Sequence, residues 1–153
     1  MNIQTLIPLT PTIEWTANKV KLIDQTKLPL EEQYIETDEY KVVCDAIYRL
    51  AIRGAPAIGV AGAYACVLVA NKITVDDLDH FLQEFMLKAD EIGATRPTAV
   101  NLIWAVKQMK EKAILFKGSV NDLKIRLLEL AHEIKEDDIY RCHNLGLNGT
   151  DLI

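Results

Sequence analysis

Hydrophobic positions along the chain change period once, near Asp38. Before that point they alternate: Ile13 and Trp15 are set off by polar neighbours, Val20 and Leu22 face one way, and Lys21 and Ile23 the other. Gln33-Tyr34-Ile35-Glu36-Thr37 alternates again. A period of two suits a half-buried strand, because successive side chains leave opposite faces of the pleat. The pattern predicts three antiparallel strands within residues 12–37, with Asn18-Lys19 as the turn between the first two. Three strands with one apolar face need a covering layer, and the rest of the chain must supply it.

Beyond Asp38 the spacing is helical. Asp38 is expected to cap a helix carrying Val42, Val43, Ala46, Ile47 and Leu50. Pro56 opens a second helix that is apolar all round, as buried helices are, and rich in small residues that let neighbours approach. Thr74 and Asp77 read as a capping box ahead of Leu78, Phe81, Leu82, Phe85, Ala89 and Ile92, with Gly93 as the stop. Pro97 is expected to open a helix through Leu102, Val106, Met109 and Ala113 to Phe116, ended by Gly118. Ser119 and Asp122 start the last one, with Leu123, Leu127, Leu130, Ala131 and Ile134 inward and Glu136-Asp137-Asp138 as solvated surface. The fold class is α+β, mostly helical. It is a small three-stranded antiparallel sheet (12–37) followed by a bundle of about five helices (38–153), all in a single domain 1–153.

Composition narrows the function classes. A chain of 153 residues, half of them hydrophobic, can bury one real core and hardly two. Its net charge of −5, with no basic block, argues against a nucleic-acid partner, whose footprint is clustered positive charge. The uncharged run from Ala55 to Ala70 reads as too short and too rich in Gly and Ala to span a bilayer. The N-terminus lacks the charged start and cleavage site of a signal peptide, so a cytoplasmic location is expected. Cys44, Cys66 and Cys142 sit singly, which suggests neither a metal pair nor a disulfide framework. Cys142 reads as a small core residue, and His80, His132 and His143 as structural or solvated.

Candidate chemistry concentrates at Arg53-Gly54-Ala55-Pro56-Ala57-Ile58-Gly59. Proline at a helix start loses an N–H that would have had no partner anyway. The N–H groups of Ala57, Ile58 and Gly59 are expected to point out of the positive helix end, with Gly54 allowing close approach and Arg53 adding a planar guanidinium. That makes an anion seat; the alternative is a loop glycine, a helix-starting proline and a solvated arginine. A second arginine stands before a helix-opening proline at Arg96-Pro97-Thr98-Ala99-Val100-Asn101. Two arginines facing one cleft suit a doubly charged phosphate monoester better than a single carboxylate.

These two stretches resemble the signatures of the N-terminal half of the methylthioribose-1-phosphate isomerase family (initiation factor 2B alpha/beta/delta-like). Asp24-Gln25-Thr26-Lys27-Leu28-Pro29 resembles its early Asp-Gln-x-x-Leu-Pro segment, and Asn144-Leu145-Gly146-Leu147-Asn148-Gly149 its Asn-x-x-Ile-Gly-x-x-Gly region. Order and spacing agree from about Trp15 onward. Weaker forms occur in ribose-1,5-bisphosphate isomerase and in regulatory subunits of the nucleotide-exchange factor of eukaryotic translation initiation, which use the domain for protein recognition. The resemblance implies that 5-methylthioribose 1-phosphate becomes its ketose, 5-methylthioribulose 1-phosphate, in methionine salvage. By that match Arg53, Gly54, Ala55 and Arg96 are substrate-binding, no catalytic residue lies in this chain, and neither metal nor organic cofactor is required. It also implies a further C-terminal α/β domain carrying the reactive cysteine of a Thr-x-Cys-Asn segment, the acid–base aspartate and an Asn-Lys pair. A homodimer of the longer protein, with no nucleic-acid or membrane partner, completes the expectation.

Overall fold

Strands β1 (Ile13–Thr16), β2 (Lys19–Ile23) and β3 (Tyr34–Thr37) form one antiparallel sheet in the order β1-β2-β3. The computed structural model describes residues 11–150; the expectations about the N-terminal start and about residues 151–153 lie outside them. Thr16 pairs with Lys19, so the turn is Ala17-Asn18, one residue earlier than the sequence suggested. Both turn residues lie in the left-handed region, at φ 48° and 61°. A two-residue turn of that hand matches the twist of the strands it joins, and the register requires it. Val20 and Leu22 are fully buried, and Leu22 lies opposite both Ile13 and Ile35.

Five helices follow: α1 (Tyr40–Tyr48), α2 (Ala55–Lys72), α3 (Leu78–Ala94), α4 (Val100–Leu115) and α5 (Val120–Thr150). The α+β class and the three strands are as the pattern predicted, and among the described residues no strand follows Asp38. Helix α2 is the axis of the domain. It is buried without a break from Ile58 to Ala70 and touches the sheet and all four other helices. Its 18 residues are long and apolar enough to cross a membrane, contrary to the length estimate from the sequence. Burial of 72% of that span inside the domain is what marks it as a core helix.

Small residues on α2 set how closely α4 approaches. A Cβ at Gly59 would lie 3.0 Å from the Asn101 carbonyl oxygen, and one at Gly62 would collide with Leu102 Cδ1. Trp15 stacks on the buried Tyr64 ring at 5.5 Å between centroids, joining the sheet to the same helix.

Several helix starts differ from the sequence reading. Asp38 does not cap α1: its carboxylate pairs with Lys72 Nζ at 2.7 Å, and Glu39 takes the cap position without a side-chain bond. Lys72 also reaches Glu39 at 3.0 Å, so the start of α1 is tied to the end of α2. Leu50 falls beyond α1 and Val42 is exposed, leaving Val43, Ala46 and Ile47 as its inward face. Asp77 itself caps α3, accepting from the His80 N–H at 2.9 Å, and Thr74 lies outside the cap. Gly93 stays helical, and the helix runs one residue further to Ala94. Ser119 and Asp122 open α5 as a capping pair, as expected: the Asp122 N–H donates to Ser119 Oγ at 3.1 Å.

Candidate functional site

The segment between α1 and α2 decides how Arg53 is presented. Leu50 has φ 62°, a left-handed conformation costly for a bulky residue. It is held there by the bonds that follow: the N–H groups of Ala51 and Ile52 both donate to the Ala46 carbonyl, at 2.8 and 3.3 Å. Ala51 and Ile52 are fully buried, so the chain re-emerges only at Arg53. Gly54 precedes α2 at φ 88°, where a Cβ would meet nothing within 4 Å. The need for glycine there is therefore conformational and not a matter of space.

Ala55 and Pro56 form the first helical positions of α2. The Ile58 N–H donates to the Gly54 carbonyl at 3.0 Å. Helical spacing sets Gly59 N–H on Ala55 in the same way. Of the three N–H groups expected to face outward, only that of Ala57 belongs to the unpaired first turn. Arg53 is exposed, and its Nε donates to the Leu50 carbonyl at 3.1 Å.

Arg96 is placed differently from the expectation. Helix α4 starts at Val100, and Arg96 heads a tight turn in which the Ala99 N–H donates to its carbonyl at 2.9 Å. Pro97 therefore occupies the second position of a β-turn, where its fixed φ is equally favourable, instead of the first turn of the helix. Arg96 is half-buried. Among the described residues no carboxylate pairs with Arg53 or with Arg96.

The starts of α2 and α4 share one wall of a cleft of about 380 Å³. Pro56, Gly59 and Val60 line it from α2, and Val100, Asn101 and Trp104 from α4. Helix α5 closes it with Ile134, Asp137, Asp138 and Arg141. Neither Arg53 nor Arg96 is among the lining residues; the cation there is Arg141, whose Nε meets Asp137 at 2.8 Å. Asp137, which stays exposed as the sequence suggested, and Asp138 thus also form a cleft wall. The signal for them was the helical spacing of Asp137 and Arg141, and it needed the length of α5 to be read correctly.

Behind the Arg53 loop stands the Asp24-Gln25-Thr26 turn. Asp24 is buried and accepts from the Thr26 N–H at 3.0 Å, the Thr26 hydroxyl at 2.5 Å and Arg49 at 2.9 Å. Burial alone would raise its pKa, but the bonds from Thr26 and Arg49 outweigh it and hold the carboxyl below the usual aspartate value. Arg49 also donates through Nε to Asp45 at 2.8 Å, and its own pKa is raised by these partners. The Gln25 N–H donates to the Ala51 carbonyl at 2.8 Å. Elsewhere, Tyr64 OH lies 3.0 Å from His132 Nδ1, and burial pushes the phenol up to about 12. Cys66 is buried with its thiol pushed up, whereas Cys142 is exposed and is not the core residue expected. Among the described residues no group of three His, Cys, Asp or Glu is placed to hold a metal.

The model of the initiation factor 2 subunit family matches residues 51–153, from the loop behind Arg53 onward. The chain belongs to that family. Within the family it is 43% identical over 143 residues to a methylthioribose-1-phosphate isomerase of Trichlorobacter lovleyi, covering 93% of this chain and 41% of the relative. A Geobacter metallireducens protein of the same name is 45% identical over the same shares. Among solved structures, the 5-methylthioribose 1-phosphate isomerase of Pyrococcus horikoshii superposes with TM-score 0.81 at 30% identity, over 84% of this chain and 36% of that one. The delta subunit of translation initiation factor eIF-2B from A. fulgidus superposes with TM-score 0.87 at 36% identity, over 95% and 42%. The chain spans about two fifths of the length of the curated relatives it matches.

Proposed function

We propose that this chain is the phosphate-holding part of an aldose–ketose isomerase that converts 5-methylthioribose 1-phosphate to 5-methylthioribulose 1-phosphate in methionine salvage, in the cytoplasm. The observation that carries this is the 43% identity to an isomerase across 93% of the chain, with the Arg53-Gly54-Ala55-Pro56 loop intact. Two arginines without a carboxylate partner among the described residues, each ahead of a helix start, agree with it.

The chemistry sets a division of labour. A phosphate on C1 locks the sugar ring, so reaction requires a general acid at the ring oxygen and then hydrogen movement between C2 and C1. Arg53 and Arg96 grip the phosphate, and the backbone of Gly54 and Ala55 approaches it at the positive start of α2. Their contribution is to fix the carbon centre against the acid and base. By the family resemblance those groups belong to a further C-terminal α/β domain, so residues 1–153 alone are expected to turn over no substrate. A coupled assay of aldose-to-ketose conversion on this chain and on the complete translated product containing it tests the division. Robust turnover by residues 1–153 would overturn it. Ribose 1,5-bisphosphate is included as the competing substrate.

The superposition on the eIF-2B delta subunit favours a second reading, a non-catalytic regulatory domain that recognises protein. The same assay discriminates, because a complete product without turnover on either sugar phosphate would move the assignment to that class.

A further inference from the structure

Asp24-Gln25-Thr26 is the signature stretch that phosphate binding leaves without a role. We propose that Asp24 and Arg49 are positioning residues that hold the Leu50–Gly54 loop, and through it Arg53, in the geometry that receives the substrate phosphate. This inference rests on the isomerase reading above. It starts from Leu50, whose left-handed φ of 62° needs an external hold, because its own side chain is 39% exposed. The hold comes from two sides. From α1, the Ala46 carbonyl takes the Ala51 and Ile52 N–H groups. From the turn that follows β2, the Gln25 N–H donates to the Ala51 carbonyl, and Asp24 accepts from the guanidinium of Arg49, the residue directly before Leu50.

The strained carbonyl between those holds is the one that Arg53 uses. Leu50 O accepts from Arg53 Nε at 3.1 Å, which leaves both terminal nitrogens of the guanidinium to a phosphate. Arg53 is exposed and has no carboxylate partner among the described residues, so this carbonyl sets its direction. Loss of the Asp24–Arg49 pair frees Arg49 on the sheet side, lets Leu50 relax toward negative φ, and turns the carbonyl away from Arg53. Arg49 bridges Asp24 and Asp45 at 2.9 and 2.8 Å, so its backbone is fixed by both the sheet and α1.

Asp24→Asn is the sharpest probe, because it keeps an oxygen for Thr26 while presenting an amide to Arg49. Two measurements separate positioning from simple glue between sheet and helix. The first is solvent exchange of the Arg53 Nε–H by nitrogen-15 NMR on this chain, with the resonance assigned by its loss in Arg53→Ala. Its exchange is expected to quicken about tenfold in Asp24→Asn at a temperature where both proteins are folded. The second is a double-mutant cycle in the complete translated product, on 5-methylthioribose 1-phosphate. Asp24→Asn is expected to raise KM about tenfold with kcat nearly unchanged, and to add nothing when Arg53→Ala is already present. Unchanged Nε–H exchange, or effects on KM that add, would overturn the proposal. If Asp24→Asn does not fold, Arg49→Lys carries the same two measurements, since lysine has no counterpart of the separate Nη1 and Nε donors by which Arg49 meets Asp24 and Asp45. Absence of turnover by the wild-type product would remove the isomerase reading, while the exchange measurement still decides the clamp.

Discussion

The hydroxyl of Tyr64, in the middle of α2, lies 3.0 Å from Nδ1 of His132 on α5, with the two rings edge to face at 5.6 Å. Tyr64 is fully buried, and the bond satisfies the one polar atom it brings into the core. Tyr64→Phe keeps the stacking on Trp15 and removes only that bond. Unfolding in urea should show a loss of about 1 kcal/mol, in the range of a single net hydrogen bond. No loss would mean that water satisfies His132 equally well.

Helix contact at Gly62 offers a packing test. Its missing Cβ makes room for Leu102, so Gly62→Ala forces the leucine off its place and should cost about 1–3 kcal/mol. The companion change Leu102→Ala should recover part of that cost, since the collision is with its Cδ1. A thermal melt in which the double variant is no better than the sum of the single ones would refute the shared contact.

Asp24 fixes a pH dependence with a definite sign. Its folded pKa is below the ordinary 3.8, so its contribution to stability is complete above that value and is lost as pH falls through the folded pKa. In the wild type, denaturation midpoints should therefore fall on acidification through this range. The Asp24→Asn variant should be less stable at neutral pH and show a shallower acid slope. Parallel slopes for the two proteins would show that the ion pair contributes nothing to folding.

The two arginines can be separated kinetically. In the complete translated product, Arg53→Ala and Arg96→Ala should each lower kcat/KM, by an amount corresponding to about 1.5–3 kcal/mol for a charge-assisted contact to phosphate. Arg53→Lys should recover little, because a point charge cannot make the planar two-pronged contact. Wild-type kcat/KM in the Arg53 variant would take the phosphate role away from this loop.

Local rules along the chain were sufficient for the elements themselves. The change from alternation to helical spacing at Asp38 marks where sheet gives way to bundle, and the all-apolar run after Pro56 identifies the buried axis. The Ser119–Asp122 cap was legible because both partners lie within one turn. What depended on distant parts of the chain was not legible. Asp38 is drawn from its capping position by Lys72, which lies 34 residues later, and Pro97 serves a turn because α4 begins only at Val100. The two arginine motifs could be seen as motifs, but their relation to the cleft could not. Helix–helix approach at Gly59 and Gly62 brings the starts of α2 and α4 together, and the length of α5 then places Arg141, Asp137 and Asp138 in the opening. The same holds for Asp24 and Arg49. Nothing in the sequence around either residue names the other as its partner, and only the packing of sheet against α1 makes them an ion pair at 2.9 Å. Backbone propensity and capping act over a few residues and are written locally; an ion pair or a cleft depends on which surfaces meet, and tertiary packing decides that.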